Sequence, residues 1–101
     1  MDTKTLIADA KARFSHNAAK AYLKDKYDSK FIVADQGGLW KATPELIGFL
    51  ASSTDDTVVL VDTFENPVLV NRTSLHDILY KTYDEVMFLW YSEWKELEGK
   101  R

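Results

Sequence analysis

Cysteine is absent from this chain of 101 residues, which excludes disulfide stapling and every zinc site built on thiolates. That composition suits a reducing cytoplasm, the compartment we expect. Histidine is nearly absent too: His16 and His76 lie far apart in sequence, and no spacing announces carboxylates that would complete a metal site with them. Neither a metal nor a cofactor is expected. No apolar run reaches the roughly 18 residues of a membrane span, and no charged-then-apolar leader opens the chain, so we predict a soluble protein with no membrane role.

Catalytic signatures are missing as well. Gln36-Gly37-Gly38 is too short to cradle a phosphate. His76 stands beside Asp77, but neighbours on a strand point to opposite faces and on a helix diverge by about 100°, so the pair reads as surface residues, not a base with its orienter. Asp55, Asp56 and Asp62 read as a solvated loop. We expect no catalytic residues and a non-enzymatic protein.

What is present is enough apolar material for one core: 46% of the residues are hydrophobic, and no linker divides residues 1–101. Charge is unevenly spread. Residues 1–30 hold seven Lys/Arg against four Asp, about +3, whereas the remainder holds six basic against twelve acidic residues, about −6.

The strongest pattern is Thr57–Ile78. Val58–Val61 is a β-branched run that predicts a mostly buried strand. Phe64-Glu65-Asn66-Pro67 supplies turn chemistry, and Val68–Val70 forms the returning arm of an antiparallel hairpin. Before it, the spacing of Leu6, Ala10, Phe14, Ala18, Ala21 and Tyr22 predicts a helix over 3–24, with Lys4, Lys11, Arg13, Lys20 and Lys24 on its outside. Lys30–Asp35 reads as a strand followed by a glycine turn. Leu39–Phe49 is its return arm as a bent strand, or alternatively a short helix from Pro44 with Thr43 as cap. After the hairpin, Ser74 and Asp77 resemble a capping box, so a helix starts there or only near Thr82. Tyr83, Met87, Trp90, Trp94 and Leu97 then form a heptad-like seam in a helix over 82–98. The expected core is Phe14, Phe31, Val33, Ile47, Val59, Val61, Val68, Val70, Ile78 and Met87.

In order, this is a helix, about five short strands over 30–78 and a terminal helix, and it resembles the Sm/Lsm/Hfq fold. The likeness rests on Phe31–Phe49, ending in Ile47-Gly48-Phe49, and on VVLVDTFENPVLVNRTSLHDI with its polar-basic pair Asn71-Arg72. It implies an α+β fold in which a strongly bent antiparallel sheet closes into a small Sm-like barrel. It also implies rings made by edge-strand pairing, and single-stranded RNA bound by loops at Leu50–Asp56 and Asn71–Ser74. The first of these loops lacks the family's aromatic and is acidic. A second register sets Asp62-Thr63-Phe64-Glu65-Asn66 on the family's Asp-x-aromatic-x-Asn loop, at the expense of the strands that should follow.

The functional expectation is a small homo-oligomeric assembly module. Its interface residues are Tyr83, Met87, Trp90, Trp94 and Leu97, because the terminal helix carries more large apolar groups than one face can hide. The alternative is RNA binding through Asn71, Arg72, Lys11, Arg13 and Lys24.

Overall fold

The computed structural model describes the backbone from Thr3 to Gly99 and the side chains from Ser15 to Gly99. In chain order it contains α1 (Thr3–Asp28), a 3₁₀ turn (Ser29–Phe31), β1 (Ile32–Asp35), β2 (Gly38–Lys41), α2 (Pro44–Ser52), β3 (Thr57–Val61), β4 (Pro67–Asn71) and α3 (Arg72–Gly99). The strands form two separate two-stranded antiparallel sheets, β1 with β2 and β3 with β4. The expected five-strand barrel is therefore corrected: the fold is α+β, but no sheet closes.

Two segments account for the difference. Leu39–Phe49 does not continue as a bent strand; it stops at Lys41, and Thr43 Oγ1 accepts from Leu46 N at 3.2 Å with Pro44 in the first turn of α2. A hydroxyl cap followed by a proline that has no N–H to lose starts a helix at little cost. Residues 72–81 are likewise helical, not a fifth strand. Asn71 Oδ1 accepts from Ser74 N at 2.9 Å, so Asn71 caps α3 and the helix runs unbroken from Arg72 to Gly99.

The first hairpin turns tightly on Gln36-Gly37, both at positive φ (51° and 81°), which matches the twist of a two-residue hairpin loop. Gly38 follows because Trp40 folds back over it: a Cβ there would lie 2.5 Å from the indole, whose Nε1–H donates to Asp35 O at 2.9 Å. The buried Trp40 then joins a core made with Leu23, Tyr27, Phe31, Ala42, Ile47, Leu50, Val70, Leu75, Leu79 and Val86.

Helices α1 and α3 run antiparallel. Phe31 packs on Tyr83 (5.8 Å between centroids), Tyr27 stacks on Trp90 (6.4 Å), and His16 Nε2 lies 3.8 Å from Glu98 Oε1. The molecule is consequently a rod of 65 × 24 × 19 Å with a radius of gyration of 19.4 Å, against about 13 Å for a compact domain of this length.

The second hairpin corrects part of the expected core. Its register pairs Val58 with Val70, Val59 with Leu69 and Leu60 with Val68. Val58, Leu60, Val68 and Val70 face inward, whereas Val59 and Val61 point out, 64% and 66% exposed. Side-chain direction alternates along a strand, so with Val58 and Leu60 packed inward Val59 and Val61 must face out, whereas Val68 and Val70 face inward as expected. Ile78 is also exposed, while Leu75 and Leu79 occupy the core in its place. Phe31, Ile47 and Val70 are buried as expected, and Val33, Val68 and Met87 pack against the core. The Phe14 side chain lies outside the described residues.

Candidate interaction surfaces

The two hairpins meet at a polar junction centred on Asp62. Its carboxylate, buried at the start of the β3–β4 loop, accepts from Asn66 N and Phe64 N through Oδ1 and from Leu39 N through Oδ2, at 3.0, 3.0 and 3.1 Å. The amides of Asn66, Leu39 and Phe64 hold the carboxyl below the usual carboxylate range, against the opposing pull of burial. Thr63 N donates to Leu39 O at 2.9 Å. Gln36 completes the junction: its side-chain Oε1 accepts from Asn71 N at 2.7 Å and its Nε2 donates to Asn71 O at 3.3 Å, as a neighbouring strand would. A shallow recess lies beside it, lined by Asp35, Gln36, Gly38, Leu39, Asp62 and Phe64. Its three contacts with backbone N–H groups make Asp62 part of the turn, buried, and not the solvated loop residue expected from sequence.

Asn71 and Arg72, which the sequence offers for RNA, are engaged in the fold. Asn71 caps α3, and Arg72 donates from Nε to Asp55 O at 2.6 Å and from Nη1 to Leu50 O at 2.9 Å, tying the end of α2 to the start of α3. Lys24 is exposed on α1. The side chains of Lys11 and Arg13 lie outside the described residues. Among the described residues, Asn71 and Arg72 lie together at the start of α3 and Lys24 lies on α1.

The five seam residues of the terminal helix, in contrast, share one side of α3. Tyr83, Met87, Trp90, Trp94 and Leu97 are all partly buried against the core and α1. A charged cluster borders them: Glu93 accepts from Lys26 Nζ at 2.6 Å and from the Tyr27 hydroxyl. These two donors hold the Glu93 carboxyl low, Lys26 first and Tyr27 second, and the same contacts raise Lys26 and Tyr27.

Two apolar surfaces are left outside. On the β3–β4 hairpin, Val59, Val61 and Leu69 form the outer face, with Phe64 at the tip. On α3, Tyr80, Phe88 and Tyr91 are exposed, and Tyr91 lines an apolar groove of about 230 Å³ with Met87, Trp90 and Trp94. Sequence reasoning did not single out Val59, Val61 or Leu69 as surface groups. Val58–Val61 is apolar at every position, which reads as a strand covered on both faces and carries no alternation to mark the outer one.

Among the described residues no group of three or more His, Asp or Glu side chains is placed to hold a metal ion, and no helix is long and apolar enough to cross a membrane. Comparison with protein-family models, curated proteins and solved structures finds no match to this chain.

Proposed function

We propose that this protein is a non-enzymatic assembly module of the cytoplasm that associates with copies of itself through apolar surface left outside its own core. The observation that carries the reading is the β3–β4 hairpin: it is apolar on both faces, yet the chain covers only the face of Val58, Leu60, Val68 and Val70. A strand sequence of this kind matches a layer on each side. The extent of the surface agrees. The accessible area is 7269 Å² for 11.6 kDa, where a compact monomer of that mass has about 5,800 Å². Light scattering across a concentration series tests the proposal, with a mass above 11.6 kDa expected.

Single-stranded RNA binding is supported by the basic N-terminal charge and by exposed Lys24, but Asn71 and Arg72 already serve the fold. Fluorescence anisotropy with oligo-U at low salt separates the two roles, and the assembly reading expects no salt-sensitive binding.

A further inference from the structure

We infer that α3 pairs with the α3 of a second copy in antiparallel register, with the two-fold axis between Leu89 and Trp90; this rests on the assembly reading above and names its surface. At about 100° per residue, Tyr80, Asp84, Met87, Phe88, Tyr91 and Lys95 fall in one stripe of α3 roughly 100° wide. The stripe lies beside the face that packs on α1. Phe88 is 69% and Tyr91 53% exposed, and Tyr91 lines the groove with Met87, Trp90 and Trp94. Asp84 and Lys95 are exposed on either side of Phe88 and Tyr91.

The order of these residues selects the partner. An antiparallel two-fold between Leu89 and Trp90 sets each residue against the one whose number completes the same sum. Phe88 then meets Tyr91 of the second copy, and Asp84 meets its Lys95, each contact occurring twice. Aromatic groups meet at the centre and opposite charges flank them on both sides. A parallel pairing would instead set Asp84 on Asp84 and Lys95 on Lys95. The charges therefore favour one orientation and disfavour the other, the usual means by which flanking charges fix helix pairing.

The test uses the full chain, whose lack of cysteine lets a single spin label be placed at will. Lys81→Cys and Thr73→Cys, labelled separately, should give intermolecular separations of about 25–30 Å and about 50 Å, from the 1.5 Å rise per residue. Similar short separations of roughly 10 Å plus label length at both sites would mean parallel pairing and overturn the inference. Lys95→Glu should weaken association at least about tenfold by light scattering, and Asp84→Lys combined with Lys95→Glu should restore it. Circular dichroism unchanged from wild type shows each variant folded. If the wild type associates but Lys95→Glu leaves the mass unchanged while Leu69→Glu dissociates it, assembly runs through the hairpin and this inference fails while the broader reading stands. A wild type that is monomeric throughout overturns both.

Discussion

At the scale of single residues, much of the fold rests on small contacts with specific geometry. Gly38 sits where the Trp40 indole passes, so Gly38→Ala forces the ring or the strand to move. We expect a loss of about 1–3 kcal/mol in urea unfolding, and an altered tryptophan emission as the Trp40–Asp35 hydrogen bond is disturbed. Asp62 makes a different prediction. Its folded-state carboxyl titrates lower than in the unfolded chain, so the unfolded state binds the proton first as pH falls. The stabilisation is full above the unfolded value and is lost below about pH 4. Glu93 acts in the same direction. Asp62→Asn should lower the thermal midpoint at pH 7 and flatten its decline between about pH 5 and 3. A wild-type slope retained in the variant would place the acid sensitivity elsewhere. Thr43→Ala, which removes the cap of α2, should cost about 0.5–2 kcal/mol by denaturant unfolding.

At the scale of elements, the contrast between Val70 and Val59 tests the register of the second hairpin. Val70 is buried and Val59 points out of the sheet. Val70→Ala should lose about 1–3 kcal/mol and Val59→Ala, in dilute solution, no more than about 0.5 kcal/mol. Losses of about 1–3 kcal/mol at both positions would instead restore the expectation from sequence, which placed both side chains inward. That expectation found both hairpins and both long helices, because β-branched runs, a glycine turn and uninterrupted helical spacing are local signals. It placed Val59 and Val61 inward because a run apolar at every position carries no alternation to mark its faces. What sets them is the five-residue loop closed by Asp62, and a carboxylate that gathers three amides from two hairpins has no signature in linear sequence. α2 was readable as an alternative, from Thr43 and Pro44. The start of α3 was blurred because its cap, Asn71, also ends β4. The candidate interface was legible in part. The spacing of Tyr83, Met87, Trp90, Trp94 and Leu97 showed an apolar side of the helix, but periodicity alone does not say whether that side meets α1 or a second chain.

At the scale of the whole molecule, the fold is a rod built on two antiparallel helices, with two small hairpins and a short helix completing one core. A rod has more surface per residue than a sphere, and here part of that surface is Val59, Val61, Leu69, Phe88 and Tyr91. Association covers such groups without any change in the fold of the subunit. The direct measurement is the solution mass of the unmodified protein by light scattering, from roughly ten to several hundred micromolar. The account predicts a mass that rises with concentration from 11.6 kDa towards at least twice that value. A mass that stays at 11.6 kDa over the whole range would contradict it.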